Sequence, residues 1–238
     1  MYPELKGKVA IVTGAGGSLG SAVARRFHEE GARLVLLDRS EDSLNRTVQE
    51  CGVSDILTGL IDLAQKSEID NFLNRALAQF NALDILANIA GGFAFSGPVY
   101  QMDPNQLDLM YSINFKTTAL LSGSVAARMV ERKTPGRIIN IGARPALHGV
   151  AGLSSYSASK AAVLRLTESM AAELREEGIT VNAVLPSTID TPANRQAMAS
   201  EDFTKWVTPE SLAGVIAFLA SDQARDITGA AIPVYGKA

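Results

Sequence analysis

The chain has 238 residues, 47% of them hydrophobic, so one α/β domain of ordinary size can bury a substantial core. Its 22 Lys and Arg against 25 Asp and Glu give a net charge of −3 with no block of either sign, which argues against nucleic acid as a partner. No apolar run reaches the roughly 18 residues of a membrane span, and the first residues do not resemble a secretory signal. We therefore expect a cytoplasmic protein with no membrane partner.

The cysteine and histidine content limits the chemistry further. Cys51 is the single cysteine and cannot form an internal disulfide, which favours a reducing compartment. We interpret it as a small structural residue rather than a nucleophile. No group of Cys and His has metal-ligand spacing, so we expect a site without a metal. His28 and His148 have no triad partner in the sequence and are interpreted as structural.

Short apolar runs alternate with longer segments of helical period along the chain. This rhythm predicts a doubly wound, Rossmann-type α/β fold of about seven parallel strands with helices on both faces, formed by residues 1–238 as a single domain. The predicted strands are residues 9–13, 33–38, 56–61, 85–88, 136–141, 179–185 and 231–234. The predicted helices are residues 20–30, 43–50, 66–80, 104–132, 155–177 and 209–219. Residues 187–208 form a long segment of mixed character, which we expect to act as a lid.

A glycine-rich turn follows the first predicted strand and leads into a helix, which is the context of a dinucleotide-binding fingerprint. Glycines there let the backbone approach a pyrophosphate, and the N–H groups at the helix start attract its negative charge. The residues of this turn that we expect to contact the cofactor are Gly14, Gly16, Gly17, Ser18, Leu19 and Gly20.

The second predicted strand ends at Asp38, eighteen residues after Gly20. A carboxylate at this point can accept both ribose hydroxyls of NAD and repels the 2′-phosphate of NADP, so NAD(H) is the expected cofactor. Arg39 is next to it and can pair with a phosphate, which leaves NADP(H) as an alternative.

These residues resemble the motifs of the short-chain dehydrogenases/reductases. The turn is similar to the family's T-G-x-x-x-G-x-G, with Ser18 where the middle glycine usually stands. Asp62 and Leu63 resemble the segment near the adenine ring. The resemblance extends to the N-N-A-G and P-G-x-x-x-T segments, and it implies cofactor contacts from Asn88, Ala90, Gly91, Pro186, Ile189 and Thr191.

Tyr156 and Lys160 match the family's Y-x-x-x-K, and residues four apart lie on the same face of a helix. A free phenol has a pKa near 10. We expect the neighbouring ammonium and the positive nicotinamide to lower the pKa of Tyr156, and Lys160 to hold the nicotinamide ribose. Asn114 resembles the family asparagine that anchors a proton-relay water; the alternative is a helix-surface amide.

Position 143 departs from the family pattern. Members normally carry a serine thirteen residues before the tyrosine, and this chain has Ala143. Deleting one preorganised donor of this kind costs about 10²–10³ in rate. Three explanations of this alanine are open. The substrate needs no such donor, another group replaces the serine, or the chain binds a nucleotide without carrying out ordinary carbonyl chemistry. Ser154 and Ser155 are expected to cap the following helix rather than to replace the serine.

One branch of the family, the NADH-dependent dihydropteridine reductases, is similar in having alanine at this place. A quinonoid dihydropterin accepts hydride into a conjugated ring, so no localised charge requires a second donor. The resemblance implies substrate contacts from Ala143, Arg144, Phe93 and Trp206. A structural ion pair is the alternative for Arg144, and space filling is the alternative for the aromatic residues.

The resemblance implies an enzyme that moves hydride between NAD(H) and a small cyclic substrate, for which a quinonoid dihydropterin is the candidate. It also implies self-association to a dimer or tetramer through the helices at 104–132 and 155–177. One alternative is a general ketone, alcohol or 3-oxoacyl carrier-protein reductase. The other is a catalytically impaired nucleotide-binding scaffold.

Overall fold

The computed structural model describes Tyr2 and residues 5–52 and 55–237; residues 1, 3, 4, 53, 54 and 238 of the predicted domain lie outside the described residues. Within the described part, seven parallel strands form one sheet in the order β3-β2-β1-β4-β5-β6-β7. The strands are β1 (Val9–Thr13), β2 (Arg33–Asp38), β3 (Ile56–Leu60), β4 (Ile85–Asn88), β5 (Gly136–Ile141), β6 (Ile179–Pro186) and β7 (Ala231–Val234). The predicted fold class is confirmed.

Both faces of the sheet are covered by helices. On one side pack α1 (Ser18–Glu29), α2 (Glu41–Cys51) and α8 (Pro209–Ala220); on the other pack α3 (Lys66–Phe80), α5 (Thr117–Glu131) and α6 (Ser154–Leu174). Two short helices, α4 (Pro104–Met110) and α7 (Pro192–Ala197), complete the set. In the described part of the chain, every helix is too short or too polar to span a bilayer.

The central strand β1 explains why the strand predictions succeed. Its five residues are all buried. Because successive side chains of a strand point to opposite faces, Val9 and Ile11 pack against one helical layer while Ala10 and Val12 pack against the other. A strand with two buried faces is apolar throughout, and such runs are easy to recognise in a sequence.

The helix predicted at 104–132 is not continuous, and this prediction is wrong. It is split into α4 and α5 by a π-helical turn at Tyr111–Lys116. The turn contains Asn114, which is buried and bonded to the backbone of Gly92. Because that contact is made to a residue distant in sequence, a helical period cannot reveal it. Such turns often mark functional positions.

The order of the strands reverses between β1 and β4, and this creates a crevice at their carboxyl ends. Thr13 ends β1, and its Oγ1 accepts hydrogen bonds from the amides of Ile89 and Ala90, both at 2.9 Å. The segment after β4 is therefore fixed beside the glycine-rich turn, at the edge where ligands bind in folds of this kind.

Candidate active site

The glycine-rich turn is shaped by close backbone contacts. Gly14 has a φ of +60°, and a Cβ on it would lie 3.1 Å from the Ala90 Cα. A Cβ on Gly20 would lie 2.0 Å from the Gly14 carbonyl oxygen. Gly20 is therefore required for helix α1 to pack against the turn, whereas Gly14 provides the left-handed conformation that begins it.

A cavity of about 620 Å³ opens beside this turn, within the range for small-molecule and cofactor sites. It runs along the ends of β1, β2, β3 and β4. The residues that the sequence predicts for the cofactor and that line the cavity are Gly14, Gly16, Gly17, Leu19, Gly20, Asp38, Arg39, Asp62, Leu63, Ala90 and Gly91. Ser18 and Asn88 do not line it.

Asp38 is held firmly at the rim of this cavity. Its Oδ2 accepts the Gly16 amide at 2.8 Å, and its Oδ1 accepts the amides of Arg39 at 2.7 Å and Ser40 at 3.0 Å. The carboxylate is therefore preorganised toward the cavity, while the Arg39 side chain is exposed. Glycines that leave room for a backbone-bound pyrophosphate, together with this fixed carboxylate, fit a nicotinamide dinucleotide.

Asn88 lies inside the protein and does not line the cavity. It is buried, and its Nδ2 donates to the Asn140 Oδ1 and to the Ser122 Oγ, each at 2.8 Å. These bonds join β4 to β5 and to helix α5, so the Asn88 side chain supports the sheet.

Several cavity residues were not identified from the sequence. Leu109, Ile113 and Thr117 line the cavity from the α4–α5 region, together with Ser112. Their spacing of four residues is a helical face, so the signal was present in the sequence. It was not distinctive, because apolar and small residues at this spacing usually face a core.

Both polar atoms of the Asn114 side-chain amide are hydrogen-bonded. Its Oδ1 accepts the Gly92 amide at 3.0 Å, and its Nδ2 donates to the Gly92 carbonyl at 3.1 Å and to the Ser159 Oγ at 3.2 Å. Only 1% of the residue is exposed, so the helix-surface interpretation is wrong. A Cβ on Gly91 would lie 2.7 Å from the Asn114 Oδ1 and 3.4 Å from the Lys160 Nζ. The amide and the ammonium therefore flank the same glycine.

Ser159 was missed by the sequence analysis. Its hydroxyl is buried, accepts from Asn114 and donates to the Tyr156 carbonyl at 2.8 Å. It connects the π-helical turn to the first turn of α6. The signal was its position three residues after Tyr156, since residues three apart are neighbours on one face of a helix.

Tyr156 and Lys160 lie one helical turn apart at the start of α6. The Lys160 Nζ donates to the Ile141 carbonyl at 2.9 Å, and the residue is 5% exposed. Burial lowers the pKa of Lys160 to about 8 and raises the pKa of Tyr156 to about 12. We expect the ammonium and the positive nicotinamide together to lower the pKa of Tyr156; the cost of burying the phenolate acts in the opposite direction and raises it.

The surroundings of Tyr156 are aromatic and apolar. The ring of Phe93 meets the Tyr156 ring edge to face, with centroids 5.0 Å apart. Ala143 is buried immediately after Gly142, just beyond the end of β5. The capping predicted for Ser154 and Ser155 is wrong: Leu153 precedes the helix, and no side chain caps it.

Arg144 and Trp206 pack against different aromatic rings. The Arg144 guanidinium lies over the Tyr235 ring, 5.2 Å from its centroid. Among the described residues it is in no salt bridge, so the predicted alternative of an ion pair is not found there. Trp206 packs on Phe203 with ring centroids 4.7 Å apart. Both residues lie in loop segments that follow the carboxyl ends of strands β5 and β6.

The segment 187–208 has structure of its own. Asp190 and Arg195 pair with each other at 2.5 and 2.7 Å. Thr191 caps helix α7 by accepting the Asn194 amide at 3.1 Å, and Ile189 bridges to Val207. Ile189 and Thr191, which the sequence predicts as cofactor contacts, do not line the 620 Å³ cavity, and neither does Pro186 at the end of β6.

Cys51 and the acidic residues provide no further reactive site in the described part of the chain. The Cys51 thiol is buried, which raises its pKa to about 11 and makes it a poor nucleophile. No three His, Cys, Asp or Glu side chains of the described residues are grouped as ligands for a metal ion.

Comparison with known proteins agrees with this geometry. The sequence profile of the short chain dehydrogenase family matches residues 8–202. The chain is 34% identical to a subunit of (2S)-((R)-hydroxy(phenyl)methyl)succinyl-CoA dehydrogenase from Thauera aromatica, over 98% of this chain and 96% of the relative. It is 30% identical to a 3-oxoacyl-(acyl-carrier-protein) reductase from Thermotoga maritima, over 98% of each.

Solved structures give the same result. An NAD⁺-bound xylitol dehydrogenase superposes with a TM-score of 0.90 at 26% identity, covering 98% of this chain and 99% of the other. The relatives and the solved structure match over nearly the full length, and the profile matches residues 8–202. The chain belongs to the short-chain dehydrogenase family and is an NAD(P)-dependent oxidoreductase.

Proposed function

We propose that this enzyme uses NAD(H) and a small cyclic substrate, with quinonoid dihydropterin as the candidate that its sequence favours. The observation that carries the proposal is a set of Tyr156, Lys160 and Asn114, in which Lys160 and Asn114 are buried and Tyr156 is half-buried, combined with a methyl group at position 143. A conjugated ring spreads the negative charge that develops during reduction, so one proton donor is sufficient.

The proposed roles follow from the contacts of each side chain. NADH, when bound, supplies the hydride. Tyr156 keeps its proton at neutral pH, since burial raises its pKa to about 12, and donates it to the substrate. Lys160 holds the ribose hydroxyls and, while charged, eases the loss of that proton. Asn114, fixed by Gly92 and Ser159, anchors the water that returns a proton to the site.

The substrate is tested by following NADH oxidation with quinonoid dihydropterin beside a panel of ring ketones, open-chain ketones and acyl thioesters. Turnover of the dihydropterin at the highest kcat/KM is the expected result. Activity restricted to ketones or thioesters overturns the pterin assignment and leaves the family activity in place. Tight NADH binding with no turnover on any compound supports the alternative of an impaired scaffold.

Simple carbonyl reduction is the second candidate, and the comparisons favour it. Relatives that cover nearly the full chain include 3-oxoacyl-(acyl-carrier-protein) reductases and an L-xylulose reductase. The alanine at position 143 opposes it, because loss of one donor costs about 10²–10³ in rate when charge develops on a single oxygen. Ala143→Ser decides between the two: it raises the ketone rate if this candidate is correct.

The preference for NAD(H) over NADP(H) is proposed on the preorganised Asp38 carboxylate. Asp38→Ala should reduce the ratio of kcat/KM for NADH to that for NADPH, whereas Asp42→Ala, an exposed carboxylate on the next helix, should leave it unchanged. A wild-type enzyme that already prefers NADPH contradicts the proposal.

We also propose that copies of the chain pair through the outer faces of α5 and α6. Gly123 supports this, because it is exposed and a Cβ on it would meet nothing within 4 Å, so another helix can approach closely. Light scattering should give a multiple of 25.2 kDa, and a mass of one chain contradicts the proposal. The single buried cysteine supports a reducing cytoplasm as its location.

A further inference from the structure

Six large apolar side chains are exposed on two segments that flank Tyr156. Soluble proteins rarely leave such groups together at the surface unless something binds there. Phe93 is 63% exposed although it touches Tyr156, and Leu147 is 52% exposed. We name this set the apolar rim; it consists of Phe93, Phe95, Val99, Tyr100, Leu147 and Val150.

The two segments are tied together, so the rim is a fixed surface. The Ser96 amide and hydroxyl both donate to the Gly152 carbonyl, at 2.8 and 3.0 Å. The Phe95 ring packs against Gly152, since a Cβ there would come within 2.3 Å of it. Gln106 fixes the Phe95 carbonyl with a bond of 2.8 Å. A surface that is already ordered loses little entropy when a ligand covers it.

The rim is almost free of charge. Residues 89–102 and 142–153 contain no Asp, Glu or Lys, and Arg144 is their single arginine. The Ser96 hydroxyl, which would serve a polar ligand, is already bonded to Gly152. A sugar or polyol would lose bonds to water on this surface and regain few, whereas an apolar group would lose none.

We propose that the substrate carries an apolar substituent on its reacting ring, and that this substituent packs on the apolar rim while the ring lies against Phe93 beside Tyr156. The inference rests on the proposed function and narrows its substrate class. It separates this enzyme from those relatives whose names indicate polyols or sugars, such as the xylitol dehydrogenase and the L-xylulose reductase.

The test is a series of quinonoid dihydropterins that carry a 6-alkyl group, from methyl to pentyl, reduced with NADH. Because each methylene leaves water for the rim, kcat/KM should rise by about twofold to threefold per methylene, mainly through KM. Leu147→Ser should flatten this slope. Leu60→Ser is the matched control: Leu60 is 50% exposed on the edge strand β3, away from the rim, and its slope should equal that of the wild type.

The outcomes separate the inference from the proposed function. A flat or falling series, or a preference for L-xylulose over every alkylated dihydropterin, overturns the apolar substituent while hydride transfer stands. No NADH oxidation with any of these compounds contradicts the proposed function. If Leu147→Ser alters the mass in light scattering and leaves the slope unchanged, the rim is an interface between copies, and the inference is wrong.

Discussion

The cofactor cleft and the substrate side of the site are built in different ways. The cleft is formed where β1, β2 and β4 end, and glycines give it its shape because any side chain would strike neighbouring backbone. The substrate side is formed by the segments 92–102, 142–153 and 187–208, and the hydroxyls of Ser96 and Ser187 fix it by bonds to distant backbone carbonyls. The cleft depends on steric exclusion at its glycines, whereas the substrate side depends on side-chain bonds between residues far apart in the chain.

The largest effect is expected on the substrate side. Tyr156→Phe removes the proposed proton donor, and kcat for reduction should fall by about 10³ while the dissociation constant for NADH changes little. Steady-state rates and fluorescence titration of NADH measure the two quantities. Tyr2→Phe is the control, because Tyr2 packs on Phe218 of helix α8 and belongs neither to the cavity wall nor to the rim. Equal rates for the two variants would remove Tyr156 from the mechanism.

We expect a different effect, on stability and on NADH binding, when a side chain is added to a glycine of the cleft. Gly20→Ala places a Cβ 2.0 Å from the Gly14 carbonyl oxygen, so we expect the free energy of unfolding to fall by about 3 kcal/mol and NADH binding to weaken sharply. Gly149→Ala on the substrate side meets nothing within 4 Å and should change stability by less than about 0.5 kcal/mol. Urea denaturation compares them, and similar values would contradict the distinction between the two regions.

The dependence of kcat on pH tests the charges proposed for Tyr156 and Lys160. The pKa of Tyr156 is about 12 and that of Lys160 about 8, so the phenol keeps its proton while the ammonium loses its charge as the pH rises through 8. The kcat for reduction should therefore fall by roughly tenfold between about pH 7 and pH 9.

Lys160→Arg keeps its charge over this range, so its profile should be flat there even if its absolute rate is lower. A wild-type profile that is level from pH 7 to pH 9, or the same decline in both proteins, would show that the charge of Lys160 does not control the step.

The smallest effect concerns the bond that connects α6 to the π-helical turn. Ser159→Ala removes the acceptor for Asn114, and it should cost about 1 kcal/mol of stability and reduce kcat severalfold without changing NADH binding. Ser169→Ala, on an exposed position of the same helix, is the control. Identical kinetics for both variants would mean that Asn114 is positioned without this bond.

The same difference explains what could be predicted from the sequence. Five of the seven strands were predicted with their observed ends, because buried parallel strands are continuous apolar runs. The glycine turn and Asp38 were found because their residue types are required where they stand. The break at Tyr111–Lys116 was not, because it is maintained by the bond of Asn114 to Gly92, twenty-two residues earlier.

The burial of Tyr156 could not be predicted from the sequence. Sequence spacing places Lys160 one turn from Tyr156, and we expect its ammonium, together with the positive nicotinamide, to lower the pKa of the phenol. Burial, which depends on the packing of loops such as the one that carries Phe93, acts in the opposite direction and raises that pKa. The capping predicted for Ser154 and Ser155 failed for a related reason: Ser154 contacts Ser96 in a neighbouring loop.

The most direct test is a crystal structure with NAD⁺ and a substrate-like inhibitor bound together. Our account predicts the Tyr156 hydroxyl within about 2.8 Å of the inhibitor oxygen or nitrogen that replaces the protonated atom, with the Lys160 ammonium on the ribose hydroxyls. A complex in which another side chain donates to that atom, with the Tyr156 hydroxyl beyond hydrogen-bond distance, would contradict it.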